Sequence, residues 1–266
     1  MSTGTDFTMS YGTGVPDHFN EYDQFFLFGD SITQASYDPQ LGFGFGAALQ
    51  HAYVRRLDVI NRGLSGYNTA NAMVIFPKIF PPPQKARIRL MTVFFGANDA
   101  ALPHSIQHVP LDQYKQNLKA LLEHPLTKAQ NPKIIVITPP PINEYQLEIT
   151  DFKKGIVGPP RRTAKTTKMY ADACRDVAKS LGIPVADLWA AFMNAAQWKP
   201  GQPLAGSKES PVNERLASLL SDGLHFTSSG YKIMFDEVMN VLRATWPEED
   251  PEKLPMIFPP WEVAPK

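Results

Sequence analysis

The chain has 266 residues, 43% of them hydrophobic and 20% charged, with 26 basic side chains balanced by 26 acidic ones. That length can bury a sizeable core, and the neutral balance excludes a general electrostatic attraction to nucleic acid or anionic membrane. The single cysteine, Cys174, excludes an intrachain disulfide, and no run approaches the roughly 18 apolar residues that span a bilayer.

In chain order, Met1 to Asp23 is polar and lacks the basic start and apolar stretch of a signal peptide, which points to a cytoplasmic protein. A first buried strand is expected at Phe25-Phe26-Leu27-Phe28 and a second at Leu57-Asp58-Val59-Ile60. A third falls at 89–95, a fourth at 133–138 and a short edge strand at Ile183-Pro184-Val185-Ala186, where proline is tolerated. Between them the spacing predicts helices near 43–54, 68–80, 111–124, 163–181 and 228–243. Short apolar runs alternating with helices imply a parallel sheet covered on both faces.

Two stretches, 139–162 and 194–212, interrupt this pattern as irregular connections, the first of a length common in binding loops or lids. Arg161-Arg162 with Lys165 and Lys168 is expected to be a solvated face. The proline-rich tail from Pro247 cannot form a long helix, and its Phe258 and Trp261 suggest docking onto a surface. The expected organisation is a polar segment 1–23, a domain 24–246 and a tail 247–266, with docking across a homodimer left open.

Four segments carry chemistry. Gly29-Asp30-Ser31 follows the first strand, at the sheet edge where parallel folds collect ligands. Gly29 would ease the turn, and Ser31 could equally cap the next segment. Ser221-Asp222-Gly223-Leu224-His225-Phe226 precedes the last helix. A serine hydroxyl needs a base, and a histidine base needs a carboxylate on its other nitrogen. The spacing lets Asp222 reach His225 Nδ1 while Nε2 faces outward, although Asp-x-x-His is common in surface turns. Asn61-Arg62-Gly63-Leu64-Ser65-Gly66 and Gly96-Ala97-Asn98-Asp99 follow the second and third strands. A glycine N–H and an asparagine amide are uncharged donors suited to an oxyanion, and also ordinary turn chemistry. Turn chemistry does not account for all four falling on one sheet edge.

These blocks make the chain resemble the SGNH/GDSL hydrolase superfamily, matching its Ser, Gly, Asn and His at Ser31, Gly63, Asn98 and His225. The wider context, Phe28-Gly29-Asp30-Ser31-Ile32-Thr33, Gly96-Ala97-Asn98-Asp99-Ala100 and Asp222-Gly223-Leu224-His225-Phe226, is most similar to the isoamyl acetate-hydrolysing esterase family. The resemblance runs from about Gln24 to Trp246. It implies an α/β fold, a three-layer α/β/α sandwich with a flavodoxin-like five-stranded parallel sheet in order 2-1-3-4-5. It also implies a serine esterase for short acetate-type esters, with a Ser31–His225–Asp222 triad. An oxyanion hole of the Ser31 and Gly63 N–H groups and the Asn98 side chain follows, with Asp30 and Asp99 holding the loops.

Other chemistries find less support. Gly42-Phe43-Gly44-Phe45-Gly46 follows no strand and lacks dinucleotide-loop spacing. No Gly-x-Ser-x-Gly elbow, His-Glu-x-x-His or cysteine cluster occurs, so neither an α/β-hydrolase nor a zinc site is indicated, and no cofactor or metal is expected. Cys174 reads as a small core residue, and His104 and His108 as solvated loop positions. The remaining alternatives are a carbohydrate deacetylase, lysophospholipase or thioesterase on the same scaffold, or a non-catalytic ligand-binding relative or adapter. The expected partner is a small-molecule ester.

Overall fold

The computed structural model describes residues 21–264, so most of the polar N-terminal segment lies outside the described residues. In chain order the elements are β1 (Gln24–Gly29), α1 (Ser31–Gln34), α2 (Phe45–Ala52), β2 (Asp58–Gly63), α3 (Thr69–Ile79) and β3 (Ile88–Phe94). Then come α4 (Leu111–Leu122), α5 (Pro125–Gln130), β4 (Lys133–Ile137), α6 (Glu144–Lys153), α7 (Ala164–Ser180), β5 (Val185–Ala186), α8 (Leu188–Ala195), α9 (Glu214–Leu219) and α10 (Ser228–Thr245). The strands form one parallel sheet in order β2-β1-β3-β4-β5.

The apolar run of β1 explains its central position. Side chains alternate across a strand, so Phe25 and Leu27 enter one core with residues of α2, α8 and α10. Phe26 and Phe28 enter the opposite core with residues of α3, α4 and α7. Each fully buried phenylalanine contributes about 1.5–3 kcal/mol of transfer free energy, which a strand wet on one face could not gain. Proline is tolerated at the short β5 edge, where the Pro184 carbonyl still accepts from Val136 N at 3.0 Å. Cys174 is buried in the second core.

Three expectations change. The 139–162 connection is not irregular throughout: Asn143 accepts from the N–H groups of Tyr145 and Gln146 and starts α6. Arg162 is not on a solvated face but 6% exposed, inside a hydrogen-bonded cluster. The tail does dock on its own chain, yet not through Phe258 and Trp261, which stay exposed. It is held through its main chain, with Ile257 N donating to Arg55 O at 2.9 Å and the Arg56 side-chain Nε donating to Leu254 O at 2.8 Å. The Glu249 carboxylate, 2% exposed, adds ion pairs to Arg89 Nε (2.7 Å) and to Lys133 Nζ. Backbone carbonyls and one buried carboxylate hold the segment, so its aromatics need not. No helix of the described residues is long and apolar enough to cross a membrane.

Candidate active site

β1 ends at Gly29, directly before Asp30 and Ser31. Gly29 is required for space rather than for its backbone angles: a Cβ there would lie 2.1 Å from Thr33 Oγ1 and 2.8 Å from Phe94 O. Asp30 caps α1 by accepting from Ile32 N at 2.9 Å, which turns the chain and presents Ser31 as the first residue of the helix.

The Ser31 hydroxyl lies 2.8 Å from His225 Nε2, and His225 Nδ1 lies 2.8 Å from Asp222 Oδ2. A carboxylate only accepts hydrogen bonds, so the ring proton belongs on Nδ1 and Nε2 is left to accept from the serine. Asp222 Oδ1 also accepts from the N–H groups of Leu224 (3.0 Å) and His225 (2.9 Å). Burial by itself would raise the Asp222 pKa. The hydrogen bond and charge of His225, with these two amides, outweigh it and hold the carboxyl well below its usual range.

The loop carrying this pair is braced by α6. Gly223 sits at φ +93°, a conformation that glycine adopts freely, and a Cβ there would meet Asn143 O at 2.6 Å and Leu147 N at 2.7 Å. Its carbonyl accepts from Asn143 N at 2.9 Å, and Thr150 Oγ1 donates to Asp222 O at 3.1 Å. The connection that interrupted the sequence pattern thus forms the back wall of the site.

On the other side lies Asn98, 3% exposed. Its Oδ1 accepts from Gln107 Nε2 (3.1 Å) and Arg162 Nη2 (3.0 Å), while Nδ2 donates to Tyr67 O at 2.9 Å. Two donors on Oδ1 fix the amide's orientation and leave the second Nδ2 proton for a ligand. Asp99 Oδ1 accepts from Thr69 N at 2.9 Å and from Thr69 Oγ1, tying the Asn98 loop to the start of α3.

Gly63 stands apart from this group. Its N–H donates to Asn61 Oδ1 at 2.8 Å, so that amide is already engaged. Gly66, three residues on at φ +81°, instead lines the cleft with Ser31, Asn98 and His225. The Gly66 N–H makes no hydrogen bond to a described residue. Both glycines occur in one short segment, and they differ in the bond to Asn61, in backbone conformation and in access to the cleft. Gln107 and Arg162 were also missed. Neither belongs to a motif, and each reaches Asn98 through the fold. Of the loop histidines, His104 is exposed, while half-buried His108 places Nδ1 2.6 Å from Ala101 O and does not line the cleft.

Asp30 lies wholly inside, and burial pushes its pKa up to about 7, against the lowering effect of the Ile32 N–H and of nearby His225. The sign follows from proton counting. Between about pH 4 and 7 the folded chain keeps this proton and the unfolded chain loses it, so stability falls as pH rises through that window. Asp99, pushed up to about 6 chiefly by burial, acts in the same direction. In urea titrations from pH 4 to 7.5, Asp30→Asn is expected to show a shallower loss of stability than the unsubstituted protein, because the amide cannot ionise. Parallel pH slopes for the two proteins would contradict this account of Asp30.

Comparison with known proteins agrees with the geometry. Residues 27–233 match the GDSL-like Lipase/Acylhydrolase family. A GDSL esterase/lipase of Arabidopsis thaliana is 36% identical over 241 residues, covering 88% of this chain and 90% of the relative. The isoamyl acetate-hydrolyzing esterase 1 homolog of Homo sapiens is 36% identical over 242 residues, covering 88% and 85%. In fold, the chain is similar to a lipase/acylhydrolase from Enterococcus faecalis, with TM-score 0.58 and 22% identity over 84% of this chain and 96% of that one. It is also similar to the acetylxylan esterase Axe2 from Geobacillus stearothermophilus, with TM-score 0.58 and 21% identity over 83% and 94%. The chain therefore belongs to the GDSL-like lipase/acylhydrolase family, and it is a carboxylic ester hydrolase.

Proposed function

We propose that the protein hydrolyses short acetate-type esters through an acyl-enzyme, with Ser31 as nucleophile, His225 as base and Asp222 as its orienting carboxylate. The observation that carries this reading is the unbroken run of hydrogen bonds from Ser31 Oγ through the His225 ring to Asp222, each link 2.8 Å. Ser31 Oγ attacks the ester carbonyl while its proton passes to His225 Nε2, and Asp222 stabilises the imidazolium that forms. The negative oxygen of the tetrahedral adduct is met by the Ser31 N–H, the Asn98 Nδ2 proton and the Gly66 N–H, the last taking the place expected for Gly63. His225 then protonates the leaving alkoxide and the C–O bond breaks. Water, deprotonated by the same ring, attacks the acyl-enzyme and releases the acid and free Ser31. Asp30 and Asp99 serve by holding the Ser31 and Asn98 segments.

A small acyl group is supported by the cleft itself, about 190 Å³ and lined largely by polar groups. It is supported further by the isoamyl acetate and acetylxylan activities that the relatives' names carry. Labelling with a fluorophosphonate tests the reading directly. Mass spectrometry should find the adduct on the peptide containing Ser31; an unmodified Ser31 in folded protein would exclude it as an activated nucleophile.

A further inference from the structure

A second cavity of about 270 Å³ opens beside the cleft, between α6 and the Ile156–Arg161 segment. Leu147, Asp151, Arg161 and Arg162 line both spaces. The partition between them includes an ion pair from Arg161 to Asp151, in which Arg161 donates to both carboxylate oxygens. The two chambers differ in chemistry. The catalytic cleft is mostly polar, whereas Leu147, Phe152, Ile156, Val157, Pro159 and Pro160 give the neighbouring cavity an apolar wall. Phe152 is 84% exposed and Val157 97% exposed. Large apolar side chains grouped at a cavity mouth mark a surface that meets an apolar ligand.

An ester presents two groups on either side of its carbonyl, and the cleft around Ser31 offers an alkyl chain mostly polar walls, whereas the neighbouring cavity offers apolar ones. We propose that the cavity between α6 and residues 156–161 binds the alkyl chain of the ester's alcohol, with the Asp151–Arg161 pair and Leu147 as the threshold that the chain crosses. This rests on the acetate-ester reading above: the acyl methyl stays in the polar cleft, and the leaving group extends over the threshold. Other polar groups around the cavity are already committed. Glu144 accepts from the N–H groups of Ala164 and Lys208, and Lys208 Nζ pairs with Glu148 at 2.6 Å. An uncharged chain is therefore the ligand that leaves no ionic group newly unpaired.

The test is kcat/KM across methyl, propyl, butyl and hexyl acetate, with ethyl acetate to ethyl hexanoate as the acyl-side series. Each buried methylene is expected to raise kcat/KM about fourfold, so propyl to hexyl acetate should gain about 60-fold. Phe152→Asp and Ile156→Asp, both at accessible positions, should reduce that gain to about fivefold or less by wetting the cavity. The same gain in all three proteins would overturn the proposal, as would a chain-length dependence confined to the acyl-side series. Failure of the underlying reading looks different: methyl acetate turnover would survive in Ser31→Ala, whatever the chain-length profile.

Discussion

Ser31→Ala is expected to lower kcat for a short p-nitrophenyl ester on the order of 10⁶-fold, leaving the fold intact. The size follows from the arrangement of the site. Removing the hydroxyl removes the covalent route altogether, and no other serine occupies its position 2.8 Å from His225 Nε2. Removal of the nucleophile in a well-ordered triad elsewhere costs about that factor, and the residual rate comes from the oxyanion donors and binding. The substitution deletes one oxygen from a half-buried residue at the first position of α1, whose cap is supplied by Asp30. An unchanged thermal midpoint together with abolished turnover is the expected pair of results. Turnover within tenfold of the unsubstituted protein would refute Ser31 as nucleophile.

The second large effect is expected at Asp222. Asp222→Asn preserves shape, and the remaining amide oxygen can still accept from the Leu224 and His225 N–H groups. The atom facing His225 Nδ1 can then be an NH2 donor, which forces the ring proton onto Nε2. That nitrogen points at Ser31 Oγ and could no longer accept its proton. An error of tautomer of this kind lowers kcat about 10⁴-fold in a comparable triad with little loss of structure. The pKa of Asp222 lies well below the usual carboxylate range. Its charge is therefore present throughout pH 5–8, and Asp222 itself introduces no step into the rate profile across that window. A deficit under tenfold on the high-pH plateau of the rate profile would show that Asp222 does not set the tautomer.

Legibility in the sequence divides by the range of the interaction. The inner strands β1, β3 and β4 were visible as apolar runs because burial on both faces demands one, and β1 illustrates this with Phe25 and Leu27 facing one core, Phe26 and Phe28 the other. The helices at 164–180 and 228–245 were visible from their periodicity within a residue or two. Helix α6 was hidden because it buries none of its residues completely and has no clear apolar face, so an Asn143 cap between prolines looked like loop. Arg162 looked like surface charge because nothing local reveals that Asn98 and Gln107, 64 and 55 positions away, will accept from it.

The sequence by itself determined the sheet, its buried strands and the residue types needed for acyl transfer, since periodicity and motif spacing are local properties of the chain. Tertiary structure alone decided which of the two glycines faces the cleft. Asn61 engages the Gly63 N–H while Gly66 turns toward Ser31, Asn98 and His225. It also decided that α6 would brace the His225 loop and that a buried arginine would orient Asn98. The Gly63 N–H is taken locally, by a side chain two residues back, but the other cases share one physical reason: a hydrogen-bonding group meets its partner only when distant segments pack around it, and sequence spacing carries no record of that meeting.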